Sequence, residues 1–468
     1  MICQNSPGRR LLLATAVLSL AACANLAPKY QRPPAATPLT TISLATAVYD
    51  GTQKADATGQ DMAALPDWQQ FFTDARLKRL IVLALVNNRD VRVAALKVEQ
   101  ARTQLSIQDA AQLPTLNASA NASRSDHGGR SVSAQIGLTA FELDLFGRLR
   151  NASESALQSA LSSAESHRSV QLSLMAEVAS AWLTLAADLQ RQQLAEQTLS
   201  SRQRSHQLNV QRHQLGAING LALAQSLSAQ DQARLDVANA ALQVTQDRHA
   251  LDLLVGAATP PELEPPTQQP QQPEASIMLS LPASLPSQIL QDRPDVRAAE
   301  HQLQGSHADI GTARAERFPR ITLTGSAGSS SRDLADLFKS GSWSFGPSVS
   351  LPIFDGGAGR AKVQAAELSR DIALAQYDKT VQTAFREVAD ALSVRSSLAD
   401  RLAMQLALTE SSALQLRLAE QNWRAGSSSQ LDLLDAQRSF YAAQQSLISM
   451  RLAEQSNRIT LYKVLGGT

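Results

Sequence analysis

Cysteine is nearly absent: the 468 residues contain 2, and none follows Cys23, so no disulfide can staple what lies beyond it. Aromatic residues make up only 4%, too few for a broad globular core in a chain of this length. Charge of one sign is lacking too. With 43 Lys+Arg against 42 Asp+Glu the net charge is +1, which leaves no basic surface for nucleic acid. Beyond Cys23 no run of 18 apolar residues occurs, so a hydrophobic transmembrane helix is not expected and any membrane crossing must be made another way. Proline is missing from 151 to 213 and from 359 to 423. There is also no nucleophile elbow, P-loop or HExxH, and the 7 histidines are scattered. His206 and His213, two turns apart on a polar helix, read as a solvated face. Neither enzyme chemistry nor a cofactor or metal site is expected.

What is present begins at the N-terminus. Arg9 and Arg10 precede an apolar run from Leu11 to Ala22, the positive and hydrophobic regions of a secretory signal. About a dozen apolar residues are too short to span a bilayer as a helix. The stretch LAAC, 20–23, resembles the bacterial lipobox, in which cleavage precedes the cysteine and its sulfur takes a diacylglycerol. On that reading residues 1–22 are a signal peptide and Cys23 is the lipidated first residue of the mature chain. Ala24, in place of aspartate, directs it to the outer membrane. An ordinary signal followed by a buried cysteine is the competing account.

The chain repeats itself. Asp90-Val-Arg opens a helical run that stops at Leu113-Pro114, and Asp295-Val-Arg opens one that stops at Phe318-Pro319, both about 205 positions apart. LDLF (143–146) matches LPIF (351–354), Gly216 matches Gly426, Leu221 matches Leu431, and LVG (254–256) matches VLG (464–466). Two tandem copies of one unit, 75–258 and 287–468, therefore follow an N-terminal segment at 23–74. A proline-rich linker at 259–286 joins them.

Each copy reads as helix, two strands, long helix, tight turn, helix. After the two proline stops the pattern switches to period two. Leu116, Ala118, Ala120 and Ala122 alternate with Asn117, Ser119, Asn121 and Ser123, and Val132, Ala134, Ile136, Leu138 and Ala140 alternate with polar or small residues. Ile321, Leu323 and Gly325, then Trp343, Phe345, Pro347 and Val349, repeat the pattern. Strands of about 9 to 11 residues suit a tilted crossing of a bilayer, at 115–146 and 320–355, although a half-buried soluble hairpin has the same alternation. The proline-free stretches predict helices roughly 95 Å long. The flanking helices, 75–112 and 221–255, are half to two thirds as long, so two stacked end to end match one long helix. Leu172, Met175, Val178, Ala179, Trp182, Leu185 and Leu189 give the mixed three and four spacing of helices packed side by side. A cytoskeletal or phage-type coiled coil shares that spacing but not the signal or the strands.

RPDVRAAE (293–300), LDLFGR (143–148), LPIFDGG (351–357) with Gly359-Arg360, and LDLLDAQ (431–437) resemble motifs of the outer-membrane factors. These are the TolC-like channel family, here its lipoprotein NodT branch, and the similarity covers the mature chain. The resemblance implies a mainly α fold with membrane β: a homotrimer with a 12-stranded outer-membrane barrel, four strands per chain, continuous with a periplasmic α-helical barrel. It also implies the passive exit duct of a tripartite efflux pump, with a periplasmic adaptor and an inner-membrane resistance-nodulation-division transporter as partners. A type I secretion duct of the same fold and a structural periplasmic lipoprotein are the alternatives. The physics of an open sheet agrees, because four strands cannot close and a bare edge in lipid leaves backbone groups unpaired.

The turn at 424–435 is the candidate periplasmic gate. Ser429 and Asp432 have capping-box spacing, so Asp432 starts a helix. Asp435 lies beyond the cap, and the first copy has Gln225 there. In a trimer, Asp435 from each copy would converge on the axis with Leu431 one turn earlier as an apolar plug. The rival role for Asp435 is a surface pair with Arg438.

Overall fold

The computed structural model describes residues 25–33, 66–124, 126, 129–266, 278 and 290–467. In chain order the elements are α1 (Trp68–Phe71), α2 (Ala75–Asn87), α3 (Arg89–Ala110), β1 (Leu116–Arg124), β2 (Arg130–Leu143), α4 (Arg148–Gln214) and α5 (Gly220–Val255). There follow α6 (Pro294–Ala315), β3 (Arg320–Ser331), β4 (Ser342–Ser350), α7 (Ala358–Arg424) and α8 (Gln430–Val464). The repeat is exact in length where it was expected: α4 and α7 are each 67 residues, and α3 and α6 are each 22. Each copy does not form its own body. One compact unit is Met1–Ala36, Ala95–Ser166 and Asp295–Thr380, the other Thr37–Ala94, His167–Pro294 and Val381–Thr468, so both draw on both copies.

The first unit carries one antiparallel sheet in the order β1-β2-β3-β4. Cross-strand partners share a face, so the register assigns every side chain. Leu116 opposes Leu138, Ala118 opposes Ile136 and Ala120 opposes Ala134. Ile136 then opposes Ala327, and Ala327 opposes Trp343. Leu138, Gly325 and Phe345 form the next row. Asn117, Ser119, Gln135, Ser326, Thr324 and Ser344 fall on the other face. One face is thus apolar across all four strands and the other is polar. The apolar face is bare: Trp343 is 80% exposed and Ile136 61%.

The alternation breaks at one place. Ala140 was expected on the apolar face, but the pairing shifts between Leu138 and Phe141, and Ala140 takes φ 46°. This bulge sets two residues of β2 against Thr324 alone. Without the extra residue Phe141 and Leu143 would turn to the polar face; with it they oppose Leu323 and Ile321. Alongside the sheet, α6 runs close to α4. Gly305 leaves room for Gln158, His301 Nδ1 lies 2.7 Å from Gln158 Oε1, and Ser162 donates to the Ala298 carbonyl at 2.9 Å.

The second unit holds an aromatic core in which Phe71 stacks on Tyr462 at 4.2 Å and meets Phe72 edge-on. Trp182 is buried and donates from Nε1 to the Leu263 carbonyl at 2.9 Å, while Met278 bridges Phe72. The described parts of the 259–286 linker therefore pack into this core. The single helix expected over 75–112 is two. Asn88 ends α2, accepts from Asp90 N at 2.8 Å to start α3, and donates to the Leu254 carbonyl at 2.9 Å. Opposite it Gly256 sits at φ 75°, where a Cβ would meet the Asn87 carbonyl oxygen at 2.7 Å. Pro294 opens α6 as its first residue with Asp295 in the first turn, as the RPD motif requires.

At 1.5 Å per residue α4 and α7 are each about 100 Å long. No unbroken run of 18 apolar residues occurs in α4, but an 18-residue stretch of it is apolar enough by mean composition to cross a membrane. Its alanines raise the hydropathy, and more than half of the stretch is buried by packing, including Trp182, Leu183 and Leu185.

Candidate functional site

Both long helices end in the same turn. Gly426 lies at φ 76°, with Ser427 N donating to the Asn422 carbonyl at 2.9 Å; Gly216 lies at φ 72°, with Ala217 N donating to the Arg212 carbonyl at 2.8 Å. Each bond reaches back five residues, the closure that satisfies a helix's last carbonyls. The next helices start differently. In the first copy Asn219 accepts from Ala222 N at 2.9 Å. In the second Ser429 and Asp432 form a reciprocal capping box, Asp432 N to Ser429 Oγ at 3.2 Å and Ser429 N to Asp432 Oδ2 at 3.0 Å. Hydrogen bonds from the Ser429 hydroxyl and amide hold the Asp432 carboxyl below its ordinary range. The Arg212 guanidinium lies over the Trp423 ring, 4.2 Å from its centroid.

Leu431 and Asp435 are exposed on successive turns at the start of α8, while Leu433, Leu434 and Ala436 are buried. Leu431 is 50% exposed. Asp435 is exposed and pairs with Arg438 at 3.1 Å, so within one chain the surface pair forms. Such an exposed pair contributes a few tenths of a kcal/mol, about 0.3 to 0.5. It leaves both side chains in solvent.

Sequence reasoning missed the seam behind these residues. Arg202, His206 and Asn209 follow one another at helical spacing on α4, and Arg202 and Asn209 are buried. Arg202 donates to Gln437 of α8, and burial pushes its guanidinium below the ordinary value. His206 was read as a solvated residue; its Nδ1 instead lies 2.8 Å from the Ser226 hydroxyl of α5, which is buried. Both polar atoms of the Asn209 amide, and Gln230 Oε1, are buried without a hydrogen-bond partner. A core that leaves such groups unmet is costly to hold, about 1 to 3 kcal/mol per group. The 4 and 3 spacing of polar residues at 202, 206 and 209, where Leu172 to Leu189 is apolar, was the available signal. Among the described residues no group of three His, Cys, Asp or Glu side chains could hold a metal.

Cys23 lies outside the described residues, but the chain just after it is held firmly. Asn25 packs against Gly147, at the junction of β2 and α4, and Ala27 packs where Gly311 has no side chain: a Cβ there would lie 2.8 Å from Ala27 and 2.5 Å from Asn151 Nδ2. Further on, Tyr30 donates to Glu300 at 3.0 Å and Arg32 donates from Nε at 2.8 Å. Burial raises the Glu300 pKa, but the bonds from Arg32 and Tyr30 outweigh it and hold the carboxyl below its usual range. Residues 25–33 thus form a strap along the first unit, starting beside the junction of β2 and α4.

Residues 80–257 and 285–467 match the family described as outer membrane efflux protein, one match for each copy of the repeat. The toluene efflux pump outer membrane protein TtgC of Pseudomonas putida is 40% identical over 470 residues, covering 98% of this chain and 95% of that one. The cation efflux system protein CusC of Escherichia coli is 37% identical over 465 residues, 98% of each chain. The crystal structure of the open state of the Neisseria gonorrhoeae MtrE outer membrane channel superposes with a TM-score of 0.82 at 35% identity, over 95% of this chain and 98% of that one.

Proposed function

The chain belongs to the outer membrane efflux protein family and has the TolC-like channel fold, and from that premise we propose that three copies close a 12-stranded barrel serving as the passive exit duct of a tripartite efflux pump. The carrying observation is the sheet: one face apolar along most of all four strands, one polar face, and two outer strands, β1 and β4, each of 9 residues with an edge unpaired among the described residues. In lipid those edges must pair with something. Three four-stranded sheets joined edge to edge leave none open, with the apolar faces outward and the serines and threonines lining water.

Cys23 supplies a second anchor. The strap supports this reading, because Asn25 holds the mature N-terminus beside Gly147, where the strands enter the membrane. A periplasmic adaptor and an inner-membrane resistance-nodulation-division transporter complete the pump. Relatives of similar identity are named for toluene and for cations, which favours a duct whose cargo is chosen by the transporter. At the turn between α7 and α8 Leu431 and Asp435 form the gate, with Leu431 from three chains as plug and Asp435 as a ring that favours cations.

The test is conductance in a planar bilayer. Wild-type trimers should conduct in small steps. Replacing Leu431 and Asp435 together by alanine should raise single-channel conductance several-fold and sensitise cells to vancomycin. Unchanged conductance in a trimer of correct mass places the constriction elsewhere, and absence of any conductance by wild-type protein removes the channel.

A further inference from the structure

The register that makes one face of the sheet apolar also puts two arginines on it. Leu116 pairs with Leu138, and the pairing continues without a break, residue against residue, to Arg124 opposite Arg130. Both arginines therefore share the face of Leu116, Ala118, Ile136 and Leu138. They stand at the hairpin's distal end, far from the helices. Directly opposed like charges repel, and neither arginine has an ion-pair or hydrogen-bond partner among the described residues. Ser123 and Ser131, one position along, occupy the other face. A pair needing only water would sit as well on that side.

The rest of this face is apolar: Trp343, 80% exposed, lies opposite Ala327 in the row of Ile136, six residues along β2 from Arg130. The loop after β3 folds back onto this face: the Ser329 hydroxyl, in the row of Ala134, lies within hydrogen-bond reach of the Leu337 and Ser340 carbonyls and donates to one of them. That seats Leu337 in a buried position and leaves Phe338 and Leu334 exposed. Arginines that close one end of an apolar strand face mark the level where hydrocarbon meets headgroups.

We propose that Arg124 and Arg130, at the distal end of the apolar face, bind the phosphates of an anionic lipid in the outer leaflet of the outer membrane. Two guanidiniums on adjacent strands offer paired donors matched to phosphate oxygens, and a phosphate between them turns their repulsion into two charge-assisted contacts. The inference rests on the barrel topology proposed above.

The experiment uses the full-length trimer extracted from outer membranes in mild detergent and examined by native mass spectrometry. Trimer mass is measured first; a chain that forms no trimer overturns the channel reading on which this one rests. The intact trimer should retain bis-phosphorylated lipid A and retain its dephosphorylated form at least tenfold less. Arg124→Gln with Arg130→Gln should lower lipid A retention at least tenfold while trimer mass and conductance persist, and Arg124→Lys with Arg130→Lys should keep most of it. Equal retention of the two lipids by the wild-type trimer, a measurement needing no variant, overturns the proposal. So does equal retention by the glutamine variant, or full displacement of the lipid by millimolar inorganic phosphate, which would make the pair a free-anion site.

Discussion

Asp247 of α5 shows how one residue fixes a pH response. Its Oδ1 accepts from Gln243 at 2.9 Å, while Oδ2 is buried with no donor and lies beside Asp188 of α4. Asp188 is itself buried and pairs with Arg191, which also donates to Ser449 at 2.9 Å. Burial, reinforced by the Asp188 carboxylate, pushes the Asp247 carboxyl up to about 6. A folded-state pKa raised above the unfolded value means the folded form prefers the proton. The stabilisation is complete below the unfolded value of about 3.9 and is lost as pH rises to about 6. Asp247→Asn should therefore raise thermal stability at pH 7.5, by about 1 kcal/mol after screening of a partly exposed pair. At pH 4 it should change nothing. Melting curves at the two pH values check this, and an equal effect at both would show that the two carboxylates are not coupled.

At the scale of elements the sheet has a sidedness that a single charge can probe. Ile136 sits on the apolar face in mid-strand and Gln135 on the polar one, neighbours in sequence with opposite surroundings. Ile136→Lys places a charge in hydrocarbon, a cost of about 2 to 4 kcal/mol at mid-bilayer, and should reduce outer-membrane trimer yield sharply. Gln135→Lys should leave yield near wild type and alter only ion preference. Immunoblots of unheated membrane fractions separate the two. This sidedness was legible in the sequence, since period two over Leu116 to Ala122 and Val132 to Leu138 admits one face assignment. The bulge at Ala140 was not, because nothing in TAFEL distinguishes a residue set aside from one paired; the cause lies across the ladder, in β3. The break at Asn88 was hidden in the same way. An asparagine in a long helical pattern is unremarkable until Leu254 supplies the carbonyl its amide reaches. The turns at Gly216 and Gly426 and the capping box at Ser429 were legible because their chemistry is local. The buried Arg202 and Asn209 were not, because burial depends on partners in other helices.

For the whole molecule, the barrel and the proposed lipid on Cys23 would be two anchors on one particle, differing in when they act. A barrel holds nothing until its edges are paired, so before assembly each chain carries a four-stranded sheet with a bare apolar face into water. Several acyl chains on Cys23 would hold that chain at the membrane from the moment it arrives, far more firmly than one. After closure the strands would bury much more apolar surface than the lipid, which would then be redundant for retention. Cys23→Ser should therefore lower the number of trimers formed, by several-fold, and leave unassembled chain soluble in the periplasm. The trimers that do form should stay in the outer membrane through a carbonate wash. Fractionation with pulse labelling reads both pools. A wild-type yield of trimer with no soluble pool would show that the lipid takes no part in assembly, and trimers released by carbonate would show that the barrel alone does not hold. The strap sharpens the expectation: Arg32→Ala frees the segment from Glu300 without touching the lipid, so it should leave chains on the membrane and slow only their conversion to trimers.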